Sequence, residues 1–398
     1  MHHYDAIVIG AGLTGVATAY HLAKGGASTL VLERQQINRG ASGQNAGSLH
    51  FQLEHRLIEH SGELGEELTF YAALARLAIA DWRALESELG ANNIELEMTG
   101  GLMLAESPEQ MQTLERKAAI ESAQGLQVTL LDRNEVLVKA PYLSSSISGA
   151  LYCPDEGHCN PRLLSHAFAR KAESAGTHFQ MQAEVTGLRR EGNRWLVTTS
   201  NAVESGEQNF TADIVVNAAG AWSTQIARMA NLHLPVFPVG LIITVTEKVP
   251  AIMDHLIQHV GRKLSLKQVD DGNLIIGGGW SARLPQTKGT WHNDYRAILD
   301  IAELQKNLAT ARDVMPLIED LHVLRSWTGT TGITPDQLPI IGDLAQARGF
   351  YVAVGGSGFT YGPTNAKLLA ELILHGETSF PITAYSPNRF GHMNMFMG

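Results

Sequence analysis

The 398-residue chain is 44% hydrophobic and 18% charged, the balance of a soluble globular protein long enough for two or three lobes. Its 30 basic residues stand against 40 acidic ones, a net charge of −10 without a basic run, which argues against nucleic acid as a partner. Two cysteines, Cys153 and Cys159, are too few for a disulfide scaffold or an iron–sulfur cluster, and the lack of a leader or of an apolar run of about 18 residues points to a cytoplasmic chain that does not span a membrane.

Ala6 to Ile9 reads as a buried parallel strand that runs into Gly10-x-Gly12-x-x-Gly15, which opens a helix carried by Val16, Ala19, Leu22 and Ala23. In such a strand, turn and helix, the stretch Gly10, Ala11, Gly12, Leu13, Thr14 and Gly15 brings backbone N–H groups up to a pyrophosphate, whose charge the helix N-terminus favours. A second strand, Thr29 to Leu32, ends in Glu33, 18 residues past the last glycine and suited to a ribose, with Arg34 beside it. The motif leaves open whether the dinucleotide is FAD or NAD.

Residues 39–50 follow, too rich in small residues to pack as a strand or stable helix. Ala41, Ser42, Gly43, Asn45, Ala46, Gly47, Ser48 and Leu49 are expected as a loop lying against the nucleotide, with His50 leaving it. Leu64 to Leu89 repeats apolar residues at helical spacing and stops at Gly90; a strand is expected over 100–105 and a helix over 108–124. Asn160 and Pro161 cap a helix over 162–175. His158 lies between the two cysteines at a spacing that matches no zinc pattern, so no metal is expected. Strands are expected over 179–188, which includes Val185 as a cofactor contact, over 194–199 and over 212–217; the last ends in small residues that make room for the nucleotide, with Ala219, Gly220 and Trp222 as contacts. The middle changes character: 239–246, 263–268 and 273–277 read as strands of an antiparallel sheet, and 294–309 as a helix. A last strand, 350–354, precedes Gly355-Gly-Ser-Gly-Phe-Thr-Tyr361 and a helix over 363–374. The N-terminus of that helix suits an acceptor that becomes negative, with Gly329, Gly356, Gly358, Phe359 and Thr360 lining it.

Taken together, the N-terminal fingerprint, Gly40-Ala-Ser-Gly-x-Asn-Ala-Gly, Asn217-Ala-Ala-Gly-Ala-Trp, Thr334-Pro-Asp-x-x-Pro-x-Ile-Gly and Gly356-Ser-Gly-Phe resemble the FAD-dependent D-amino acid oxidase and sarcosine oxidase superfamily across nearly the whole chain. Residues 45–50, 152–161 and 272–280 look most like the β subunits of heteromeric dye-linked dehydrogenases of proline, hydroxyproline or opines, and like the glycine-oxidising subunit of hydrogen cyanide synthase. The resemblance implies an α/β (α+β) fold: a Rossmann-like FAD-binding domain, 1–85, 148–222 and 328–398, interleaved with an antiparallel-sheet substrate domain, 86–147 and 223–327.

It also implies a reaction, hydride transfer from the carbon beside an amine to flavin N5, giving an imine that water hydrolyses. The arginine with which glycine and D-amino acid oxidases clamp a carboxylate is replaced by Thr330-Thr331-Gly332, and the lysine of sarcosine-type oxidases by Leu274-Ile275-Ile276-Gly277. A dehydrogenase is therefore expected over an oxidase, with electrons passed to partner subunits carrying further redox centres and any membrane association peripheral, through those partners. No cysteine follows Cys159, so the FAD is expected to be non-covalent. His50 is the candidate for orienting or deprotonating the amine, since histidine ordinarily titrates near pH ~6.5, and Arg56, Lys267 and Tyr361 are candidates for substrate contact.

Overall fold

Two sheets carry the chain, each assembled from strands far apart in sequence. The computed structural model describes residues 2–54, 61–90, 93–201, 206–287, 290–291 and 296–391. In the first sheet, five parallel strands lie in the order Phe350–Val354, Glu207–Asn217, His2–Ile9, Thr29–Leu32 and His178–Gln180. Antiparallel strands extend it: Ile340–Asp343 beside Phe350–Val354, and the ribbon Ala183–Glu191 and Arg194–Asn201 on Glu207–Asn217.

The N-terminal strand is central because both its faces are apolar. Ala6 and Val8 point into one core with Val31, Val216, Leu22, Phe168 and Leu369, and Ile7 and Ile9 point into another with Leu30, Leu32, Val215 and Val352. That two-residue alternation with burial on both sides is what a parallel sheet between layers requires. Helices Leu13–Lys24, Pro161–Ser174 and Gly362–His375 pack together over the first core. Asn160 caps the second of these as expected, its side chain accepting from Arg162 N at 2.9 Å.

The second sheet runs Ser281–Ala282, Phe237–Lys248, Asn273–Gly277, Ser265–Gln268, Leu256–His259, Gly101–Ala105, Gly149–Cys153 and Thr129–Asp132, with Val323–Ile333 on the other side of Phe237–Lys248. It is antiparallel except where Leu256–His259 lies parallel to Gly101–Ala105. Two strands depart from the expected division of the chain: Gly149–Cys153 and the whole of Val323–Ile333 belong to this sheet, held by Gly101–Ala105 and Phe237–Lys248 respectively. The helix expected over 294–309 forms over Ile301–Val314, because the Asp300 carboxylate accepts from Ala302 N and Glu303 N and fixes the start there.

The long helix Ser61–Leu89 backs the C-terminal glycine-rich loop and the helix behind it: Trp82 Nε1 donates to Thr360 O at 2.6 Å, and Asp81 takes Thr364 Oγ1 and Lys367 Nζ, each at 2.8 Å. Among the described residues no helix is long and apolar enough to cross a membrane.

Candidate active site

A cavity of about 890 Å³ runs from the carboxyl ends of the parallel strands to the second sheet. At its first end, Gly12 begins helix Leu13–Lys24 without a side-chain cap, and Leu13 N donates to Ser42 Oγ at 2.9 Å. Glycine is required at two positions, one in the turn and one in the first turn of the helix: Gly10 has φ +106° and a Cβ there would lie 2.6 Å from Ala218 O, while a Cβ on Gly15 would lie 2.0 Å from Gly10 O. Gly10, Gly12, Leu13 and Thr14 line the cavity, with Ala11 and Gly15 behind them. Glu33 lines it too. Its carboxylate accepts from Ala11 N at 2.9 Å and Gln35 N at 2.8 Å, which orients it while leaving lone pairs for a further donor. The Arg34 guanidinium stands 4.1 Å over the Trp222 ring.

The stretch after Arg39 is more ordered than a loop. Ala41–Gln44 is a helical turn and Ser48–Leu49 a short strand paired with Gly157–His158, joined through Asn45, whose Oδ1 accepts from Gly47 N at 2.6 Å. Ala41, Ser42, Asn45, Ala46 and Ser48 line the cavity; Gly43, Gly47 and Leu49 stand behind, Gly47 so close to Cys159 that a Cβ would lie 2.2 Å from its carbonyl oxygen. Val185, Ala219, Gly220, Trp222, Gly329, Gly356, Gly358, Phe359 and Thr360 complete the wall. Two buried polar atoms on it have no hydrogen-bond partner among the described residues, the donor Trp222 Nε1 and the acceptor Asn365 Oδ1. An elongated ligand with both acceptor and donor groups and a charged centre, as in FAD, fits such a wall.

At the far end the chemistry changes. His50 Nδ1 meets Gln258 Nε2, His50 Nε2 lies 3.1 Å from Ser265 Oγ, and Ser265 Oγ is 3.4 Å from Ser48 Oγ. With the Gln258 amide donating, Nδ1 accepts and Nε2 is the nitrogen left to donate to Ser265. Turning the same amide over would present its oxygen and stabilise the opposite tautomer, so Gln258 serves either proton position. Nearby, Arg262 pairs with Glu106 at 2.7 Å and Asp313 at 3.1 Å, and Glu54 accepts from Ser357 Oγ at 2.6 Å. Thr330 and Thr331 also line this wall.

Two expected substrate contacts do not reach this wall. Lys267 is 2% exposed and stands behind Gly47, its Nζ 3.3 Å from where a Cβ on that glycine would be; burial pushes its ammonium down to about 7. Tyr361 precedes helix Gly362–His375 with its ring packed in the core against Tyr71, centroids 4.8 Å apart. Arg56 lies outside the described residues. Gln258 and Ser265 were not foreseen, because they come from separate strands and no local motif announces them; Asn365, in the first turn of its helix, was within reach of the helix-start argument. Among the described residues no three His, Cys, Asp or Glu side chains gather as a metal site, and Cys159 Sγ donates to Ile94 O at 3.1 Å.

Comparison with known proteins gives this geometry a family. The model of the DAO family, FAD dependent oxidoreductase, matches residues 5–372. The chain is 29% identical to glycine oxidase of Geobacillus kaustophilus over 98% of its own length and 97% of that protein, and 25% identical to a subunit of the opine oxidase of Agrobacterium tumefaciens over 98% of each. Among solved structures, L-proline dehydrogenase from P. horikoshii superposes with a TM-score of 0.86 at 26% identity, covering 98% of this chain and 99% of that one. The chain spans less than half the length of the dimethylglycine dehydrogenases it matches, 45% of the rat protein, at 26% identity.

Proposed function

The chain belongs to the DAO family of FAD-dependent oxidoreductases, and from that premise we propose that it is an amine dehydrogenase of a small amino acid such as proline, hydroxyproline or an opine, handing its electrons to a partner subunit or dye. The observation that carries this reading is the His50, Gln258 and Ser265 group at the end of the same cavity that the glycine loops line. When bound, FAD supplies the hydride acceptor. The residues supply the rest. His50 holds or receives the amine proton, Ser265 Oγ relays it, and Gln258 accommodates either tautomer. Strand Asn273–Gly277 carries no charged side chain, so nothing on it stabilises an oxygen anion, which supports a dehydrogenase over an oxidase. The opine oxidase relative, itself named as one subunit of its enzyme, supports a partner chain; a cytoplasmic location is part of the same proposal.

The test is anaerobic bleaching of the bound flavin with proline, hydroxyproline, octopine, nopaline, sarcosine, glycine and D-alanine, followed by air. Bleaching by one of them that reverses slowly in air and quickly with a dye is the expected result. Fast reoxidation with hydrogen peroxide release overturns it in favour of an oxidase, and a flavin that none of them bleaches overturns it in favour of a relay subunit.

A further inference from the structure

Between two residues on the cavity wall, His50 and Glu54, the chain enters the interior for Phe51, Gln52 and Leu53, none more than 1% exposed. These residues lie beyond the short strand Ser48–Leu49, and side chains rather than a sheet take their N–H groups. Glu156 Oε1 accepts from Phe51 N at 2.9 Å and Gln52 N at 3.0 Å, and Glu156 Oε2 accepts from Gln52 Nε2 at 2.9 Å. Glu121 Oε1 accepts from Leu53 N at 2.5 Å. Lys117 Nζ closes the ring, donating to Gln52 Oε1 at 2.8 Å and Glu121 Oε2 at 2.9 Å. Glu156, Glu121 and Lys117 are fully buried.

Such a network is a poor way to gain stability, since two carboxylates and one ammonium leave water and an apolar cluster of equal volume folds as well or better. Burial pushes the Glu156 carboxyl up to about 7 and raises that of Glu121, which registers the cost. What ions provide and an apolar cluster does not is direction. Hydrogen bonds fix three successive peptide planes, and with them the Cα positions from which His50 and Glu54 project into the cavity. Each of the three bonds Glu156 makes is accepted from a donor, so the carboxylate is the form the site satisfies.

We propose that Glu156, acting through Gln52 and the Lys117–Glu121 pair, is a positioning residue for the wall from His50 to Glu54, holding the His50 imidazole in register with Gln258 and Ser265. The proposal rests on the reading of His50 as the group that faces the substrate amine.

An exchange of side chains tests it in the FAD-loaded enzyme. Glu156→Gln alone sets an amide NH₂ against that of Gln52, and Gln52→Glu alone sets carboxylate against carboxylate. The double exchange restores every complement, including the bond from Lys117. Two readouts are followed: the rate of anaerobic flavin reduction by the amine against pH, and the midpoint of the His50 imidazole titration by NMR, which needs no turnover. Glu156→Gln is expected to lower the limiting reduction rate by about a hundredfold with little change in substrate affinity, the effect of a misplacement near 1 Å. It should also move the imidazole midpoint, and the exchange should bring both back. A Glu156→Gln enzyme with the parental rate and midpoint overturns the proposal, as does an exchange that restores the melting temperature and neither readout. Should Glu156→Gln not fold, Gln52→Met, which keeps both backbone bonds to Glu156, replaces it: a shifted imidazole midpoint is expected and an unshifted one overturns the proposal. If no amine reduces the flavin in any variant, the assigned reaction fails, while the imidazole titration still decides the positioning.

Discussion

His50 meets Gln258 through one ring nitrogen and Ser265 through the other, neutral partners that can each donate or accept. A base that must take a proton from an amine and give it up again gains from that balance. His50→Asn should therefore lower the rate of flavin reduction by about 10²-fold or more, leave FAD bound, and remove an ionisation from the pH profile of reduction; stopped-flow measurement between pH 5 and 9 checks all three. An unaltered profile would make the ring a structural hydrogen-bonding group. His50 could be marked in the sequence because it closes the small-residue stretch after the fingerprint. Its partners could not, since Gln258 stands on Leu256–His259, a strand not foreseen, and is brought beside Ser265 on Ser265–Gln268 only by the ladder between them. Lys267 shows the converse: its strand was foreseen and its charge suggested a substrate contact, yet Gly47 comes so close over it that the ammonium is enclosed.

At the scale of the element, the first strand, turn and helix depend on contacts that only glycine permits. Helix Leu13–Lys24 meets its own strand so closely at Gly15 that an added methyl would overlap the Gly10 carbonyl. Gly15→Ala must push the helix off the strand and carry the N–H groups at its start away from the ligand. The variant is expected to purify with the flavin-to-protein absorbance ratio reduced by about tenfold or more, since the site's anion affinity resides in those N–H groups. Gly206→Ala, at a position with open space around it, should keep the ratio and serves as control; equal ratios in both would sink the argument. This unit was legible because its requirements are local: glycines, an apolar run, an acid at the right interval. Strand Asn273–Gly277 and the cap at Asn160 were legible for the same reason. Val323–Ile333 was not, because Arg325-Ser-Trp-Thr-Gly-Thr-Thr-Gly332 carries no apolar alternation and becomes a strand through its ladder to Phe237–Lys248. Gly149–Cys153 was missed for a related reason: Gly-Ala-Leu-Tyr-Cys has one aliphatic residue of size and no β-branched one, and becomes a strand between Gly101–Ala105 and Thr129–Asp132.

Across the whole molecule, the interleaving of two sheets sets charged groups where they meet, and the cost appears in the pH dependence of folding. Lys267 on Ser265–Gln268 lies inside near Glu97 and Cys159, and burial lowers its proton affinity to about 7. In the unfolded chain the same lysine titrates near ~10.4. Between those values the unfolded chain holds a proton that the folded chain has released, so this residue's contribution to stability falls as pH drops from about 10.4 to 7 and is constant below. Glu97, pushed up to about 7 by burial first and then by Asp270, acts in the window below: there the folded chain holds the extra proton, and stability falls as pH rises from about 4.5 to 7. The two windows meet near neutrality, and the ammonium and the Glu97 carboxylate act on each other below it, so the difference between variant and parent reports the lysine from pH 7 upward. Lys267→Met should unfold at a higher temperature than the parent at pH 7, and the gain should shrink steadily to nothing by about pH 10. Thermal unfolding of FAD-loaded protein at unit pH steps measures it. A gain that grows with pH, or one independent of it, would mean that the ammonium is accommodated in the interior and that the loop over it, which carries Asn45, Ala46 and Ser48 to the cavity, rests on a charged support.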